Sequence, residues 1–434
     1  MLPVLAALLS LSQPSQPPRF DGVIAAAADA DMAATAYADG GLEPLGPGEG
    51  EDSLVLAAER RGALAELDRR PAGNSVISWP QIIEAVRERD LVFVVETRGA
   101  LDRSIEQVED AYSAFPYGAH FAAFVLRGGA LVRLGGLDVG KNPQSVSRGP
   151  DGAWLLVATE ADDAEAVFVR LGADGAPVEA RPVDLDPPYR EGGEARLRGL
   201  FWSPDGRHAA ANVENERLQI YAVVYDRSGD PAGLEPAGAP VEIGRRWTVA
   251  KWTPDSRFLL AADTGWPGGG GLAMLVQGKG ALTSLEVGPD GARVVSRVEP
   301  GLSVEGFALS EDGRRAVTVN MGRTYLPDNP LLRFWPGRNR SSLRLISIHP
   351  DTGVLTLEGP EVYFDGVLPE DAIFDADGDS LAVAVFHLRD GPGRRRGYID
   401  LWRVSETEDG PRLSATGQRL ETVRGPHDLV RLNE

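Results

Sequence analysis

One unit recurs along this chain, and a recurring unit constrains the fold before any single residue does. The unit is an apolar strand, an Asp/Gly turn and a second apolar strand. The clearest copies are LFWSPDGRHAAANVE at 200–214 and AKWTPDSRFLLAADT at 250–264. Further copies are SVSRGPDGAWLLVATE at 145–160, FALSEDGRRAVTVN at 307–320 and AIFDADGDSLAVAVF at 372–386. Weaker ones stand at 82–96 and 23–38. One acidic turn residue per copy gives Asp31, Glu88, Asp151, Asp205, Asp255, Asp312 and Asp377. Their successive spacings are 57, 63, 54, 50, 57 and 65 residues. Pro presets φ, Asp bonds its own backbone and Gly accepts φ > 0, which is hairpin chemistry.

Each unit is followed by a second hairpin, as at 166–183, 282–299 and 343–358. Four antiparallel strands repeated seven times predict an all-β, seven-bladed β-propeller as a single domain over 19–434. The C-terminal GPHDLVRL at 425–432 matches LPEDAIF at 368–374, with His427 in the place of Glu370, and reads as one more innermost strand. The segment 23–28 reads the same way, so either could complete the first blade. A helical turn is conceivable at 105–115, inside a loop.

Charge and composition remove whole classes of function. The formal net charge is −20, the opposite of the basic footprint nucleic acid requires. It gives no general attraction to an anionic membrane. With no Cys there is no disulfide, thiolate nucleophile or c-type haem attachment, which disfavours a redox subunit. The five His show neither H-E-x-x-H nor H-x-H spacing, so no metal site and no cofactor is expected. D-A-D-G-D at 375–379 sits where the other copies have their turn and reads as a turn, not a calcium loop. The glycines at 268–271 lack a following G-K-[ST] and do not read as a phosphate loop.

Residues 1–18 read as an export signal and spacer: an apolar stretch, 2–11, too short to span a bilayer, then a Ser/Pro/Gln segment. This predicts a periplasmic or secreted protein with no transmembrane segment.

The strand–PDG–strand unit, K-N-P-Q-S-V at 141–146 and the P-H-D of the closing strand resemble the YVTN-type and lactonase-family propellers, including the 6-phosphogluconolactonase-like ones. The likeness covers nearly everything after Arg19 and is one of architecture. In that family, lactonases open cyclic esters at the top of the channel with acidic, His and Arg side chains; no complete catalytic motif matches here.

In such a blade the innermost strand runs from top to bottom, so the PDG turns lie on the bottom. His208 and His349 then fall in bottom turns, while His120, His387 and His427 fall on top. Four top connections are long: 98–119, 265–280, 322–341 and 388–397. Long loops on a rigid scaffold are where binding residues concentrate. Theirs include Arg98, Arg103, Tyr112, Tyr117, Trp266, Arg323, Tyr325, Arg333, Phe334, Trp335, Arg338, Arg340, His387, Arg389 and Arg394 to Arg396. Arg beside aromatics suits a small anionic ligand.

The inner strands begin with Gln81, Gln144, Arg198, Thr248, Glu305, Glu370 and His427; Asp371 and Asp428 follow the last two. Candidate catalytic groups are therefore His427, Glu370, Asp371, Glu305 and Arg198. Candidate ligand contacts are Arg323, Tyr325, His387, Arg389, Trp266, Asn212 and Gln144. Two readings follow. One is a monomeric, non-catalytic exported propeller, a ligand sensor or a platform for a protein partner. The other is a hydrolase of a small lactone or related ester.

Overall fold

The computed structural model describes residues 20–31, 50–78, 81–102, 115–185, 197–267, 275–326, 330–332, 334–389 and 394–433. The expected export signal, the loop residues Arg103, Tyr112 and Arg333, and nearly all of the helical turn considered at 105–115 lie outside the described residues. Twenty-eight strands form seven four-stranded antiparallel sheets, which are the seven blades. The innermost strands of blades 1 to 7 are β28 (Pro426–Leu432), β4 (Ile83–Val86), β8 (Ser145–Arg148), β12 (Leu197–Trp202), β16 (Trp247–Trp252), β20 (Val304–Leu309) and β24 (Ala372–Phe374). No helix among the described residues is long and apolar enough to cross a membrane.

The turns form for local reasons. Asp151, Asp205, Asp255 and Asp312 each accept a hydrogen bond from the backbone N–H two residues on, at 2.9 to 3.1 Å. In three of these turns the preceding Ser203, Thr253 or Ser310 hydroxyl donates to the same carboxylate oxygen. In blade 7 the carboxylate that holds the turn is Asp375, which accepts from Gly378 and Ser380. Asp377 shares that turn. With Glu88 in the 3-10 turn after β4, all these residues lie on one face.

Asp31 departs from the expectation. Blade 1 is assembled from both ends of the chain in the order β28, β1 (Val23–Ala28), β2 (Ser53–Arg60), β3 (Ala63–Pro71). The β1–β28 register runs from Val23↔Leu432 to Ala28↔Pro426. The C-terminal strand is thus innermost and β1 is second. Asp31 follows a second strand, so it lies on the top face; no inner hairpin exists there because the two strands are not consecutive.

Most of the core is apolar packing between neighbouring blades, as where Phe168 of blade 3 meets Trp202 of blade 4 edge-on at 5.2 Å. The innermost strands have a different problem. Each exposes an unpaired edge to the channel, and its buried N–H and C=O groups need partners. Side chains of adjacent inner strands supply them. Ser145 and Ser147 hydroxyls accept from Leu200 N–H and Trp202 N–H. Thr248 donates to Glu305 O at 2.6 Å.

Candidate functional site

Polar groups therefore crowd the channel, and two of them meet at its centre. Asp428 Oδ2 accepts from Gln81 N–H at 2.7 Å and Ile83 N–H at 3.1 Å. Asp371 Oδ2 accepts from Leu429 N–H at 3.2 Å, while its Oδ1 receives Lys251 Nζ, also at 3.2 Å. The two carboxyl groups are close enough to perturb each other's charge. Burial pushes Asp371 up, against the opposing pull of Lys251. Burial, then the charge of Asp371, raises Asp428 well above the usual carboxylate range. The pair thus titrates as a unit that holds on to a proton.

These three residues line an axial cavity of about 560 Å³. Its other walls include Pro150, Pro204, Pro254 and Glu311 from the turns, so the cavity opens on the turn face. At its rim Glu311 accepts from both Arg87 and Arg431, and Arg148 pairs with Glu88 at 3.0 Å. Glu84 is half-buried in the wall, and its carboxyl is also pushed up by burial.

The top face is built differently. Val76, Leu101, Phe115, Met321, Val367, Leu368 and Phe386, with Trp266 and Tyr325 packed against them, form one apolar cluster across loops of blades 1, 2, 5, 6 and 7. Beneath it, Glu305 is fully buried, and neither carboxyl oxygen has a hydrogen-bond partner among the described residues. Burial lifts it to about 8. His427 is equally buried and lowered by burial to about 3, so it is neutral; its Nε2 pairs with Asn74 Oδ1 at 2.9 Å.

The other candidate residues are held as follows. Arg198 pairs with Glu160 at 2.9 Å and approaches Gln144 at 3.4 Å; Gln144 also donates to Asn142 O. Glu370 is buried. Arg323 donates to Pro336 O and Gln277 O, and Arg389 to Thr324 O and Arg338 O. Tyr325 OH donates to Gln277 Oε1, and Trp266 Nε1 to Ser303 Oγ. Burial raises Tyr325 to about 12. His387 Nδ1 lies 2.7 Å from Leu388 O, and Asn212 donates to Trp247 O and Thr248 O. Of the five candidate catalytic residues, Asp371 is the one on the axial cavity.

Sequence reasoning missed two groups. Lys251 is one of only three lysines, and it stands where aligned copies have Phe201, Ala308 and Ile373. That mismatch was its signal. On top, the carboxylates of Asp29, Asp31 and Asp52 gather within 4.8 Å of one another. Asp29 accepts from Val76 N–H, Asp31 from Leu101 N–H, and Asp52 from Ala30 N–H, which ties three loop segments together.

No protein-family model matches the chain, and no curated protein matches it. Solved structures do. A periplasmic gluconolactonase of Pseudomonas aeruginosa is 16% identical, with 94% of this chain and 99% of that one covered at a TM-score of 0.61. A protein named as a candidate 6-phosphogluconolactonase from Bacteroides fragilis is 13% identical, with 97% and 100% covered at 0.60. A functionally unknown protein from Desulfotomaculum acetoxidans is 9% identical, with 95% and 99% covered at 0.57. At these identities the likeness is one of fold, and it makes the chain a lactonase-like seven-bladed propeller in architecture.

Proposed function

We propose that the chain binds a small, hydroxyl-rich molecule in the axial cavity, with Asp371 and Lys251 as its polar contacts. The observation that carries this reading is the pairing of Lys251 with the Asp371–Asp428 carboxyls at the wall of an open cavity. An ammonium offers donors to carbonyl and hydroxyl oxygens, and carboxyl oxygens accept from ligand hydroxyls. A cavity of this size suits a sugar-sized ligand. An anionic ligand at the top gains less support, because the Nη groups of Arg323 and Arg389 donate to loop carbonyls. The apolar stretch at 2–11 supports export, which amino-terminal sequencing of the protein from periplasm and medium tests.

A second reading, lactone hydrolysis, is favoured by two buried carboxyls, Asp371 and Asp428, standing with Lys251 on the cavity wall. The ionised member would take a proton from a water attacking the ring carbonyl. Lys251 would steady the developing oxyanion; as the ring C–O bond breaks, the leaving alkoxide would take the proton held by the carboxyl pair, giving the hydroxy acid.

Calorimetric titration with D-glucono-1,5-lactone and a panel of sugars and polyols tests the first reading. Saturable binding by the native chain, weakened at least tenfold by Asp371→Asn, is expected; unchanged binding by that variant rejects the site. Acid release above the spontaneous rate, lost in Asp371→Asn, would raise the second reading over the first.

A further inference from the structure

We infer that the top loops of blades 5 to 7 dock on a lipid bilayer carrying anionic headgroups. Three side chains begin the argument. Leu331 and Phe334 are each 89% exposed and Val276 is 74% exposed, the three highest values among the large apolar residues described. Such side chains on a soluble domain mark a contact surface when they cluster. These cluster because their loops are stitched together. Trp335 Nε1 donates to Leu275 O at 2.8 Å, and Tyr325 OH donates to Gln277 Oε1 at 2.7 Å. The residues protrude from loop tips instead of lining a groove, which suits insertion into an interface.

Charge identifies the occupant. On a chain of net charge −20, the described residues of 265–280, 322–341 and 388–397 carry eight Arg and Lys and no acid; Arg323 and Arg389 donate to loop carbonyls and Arg396 pairs with Glu421. Lys279, Arg340 and Arg395 are exposed and make no ion pair among the described residues. Apolar tips on loops that also carry exposed cations are the combination that binds anionic membranes, where insertion and headgroup attraction add. The shared chemistry is phosphate recognition by Arg, and the apolar tips select a bilayer over free phosphate. Docking by this face leaves the axial cavity open on the opposite side of the propeller.

The test is co-sedimentation of the full chain with phosphatidylglycerol/phosphatidylcholine vesicles, pure phosphatidylcholine vesicles, and the mixed vesicles plus inorganic phosphate. Binding to the mixed vesicles alone is expected, persisting in millimolar phosphate. The double variant Leu331→Ser/Phe334→Ser should bind at least tenfold more weakly at unchanged melting temperature. Arg340→Gln/Arg395→Gln should bind more weakly with a shallower salt dependence. Arg207→Gln, on the opposite face, should bind normally. The inference is overturned if the native chain ignores mixed vesicles, if phosphate displaces it, or if the Leu331/Phe334 variant binds like the native chain. Retention of a protein partner by this face, without vesicle binding, also overturns it.

Discussion

Lys251 Nζ lies 3.2 Å from Asp371 Oδ1, although Lys251 is in the innermost strand of blade 5 and Asp371 immediately precedes that of blade 7. The lysine reaches across blade 6, its ammonium 5.5 Å from the Phe307 ring. Removing it in Lys251→Met should leave Asp371 buried without its cation. Lys251 is one-fifth exposed, so the cost is discounted to about 1–3 kcal/mol. Urea unfolding of this variant should show that loss, and sugar or lactone binding should disappear with it. Undiminished binding would remove Lys251 from the site.

Glu305 and His427 give opposite pH signatures. Folded Glu305 keeps its proton to about 8, whereas an unfolded glutamate releases it near its model value of 4.5. The unfolded chain therefore binds fewer protons between those values, and stability falls as pH rises through that window. Folded His427 refuses a proton down to about 3, against 6.5 unfolded, so stability falls as pH drops from 6.5 toward 3. Glu305→Gln should remove the fall in stability between 4.5 and about 8, and His427→Gln the fall from 6.5 toward about 3. Parallel curves for both variants and the native chain would contradict the burial argument.

Gly306 marks the tight approach of blades 6 and 7. A Cβ there would stand 2.1 Å from Glu370 O, a backbone atom that cannot step aside alone. Gly306→Ala should cost about 1–3 kcal/mol, as overpacking does. Chemical denaturation measures it, and a neutral result would mean the inner strands are looser than described.

The ring is closed by β28 alone, which supplies the innermost strand of blade 1. Ending the chain after Arg424 deletes that strand together with Asp428, which caps the Gln81 and Ile83 N–H groups. The truncated chain should lose its cooperative thermal transition in circular dichroism. A sharp transition at the native temperature would show that closure is dispensable.

How far the sequence could be read depended on how local each cause is. The turns at Asp151, Asp205, Asp255 and Asp312 were legible because each carboxylate bonds its own turn. Asp31 was misread because a strand pairing between residues about 400 positions apart leaves no local trace. Arg323 and Arg389 were read as ligand contacts from their charge; the loop carbonyls they donate to could not be read, because sequence shows a charge but not its neighbours. Asp371 was picked out as a channel acid, yet its lysine went unnoticed in a strand otherwise read as apolar. Seven aligned strand starts also could not reveal the apolar cluster among the top loops or the cavity that opens on the turn face.

Because the chain has no Cys, cysteine protection locates the ligand most directly. Ile373→Cys places a single thiol on the axial cavity, and Tyr325→Cys places one beneath the top loops. The rate of alkylation of each is measured with and without saturating D-glucono-1,5-lactone or the tightest sugar of the panel. Ligand in the axial cavity should slow the reaction at position 373 at least tenfold and leave position 325 unchanged. Protection at 325 with none at 373 would place the ligand at the top and contradict the account.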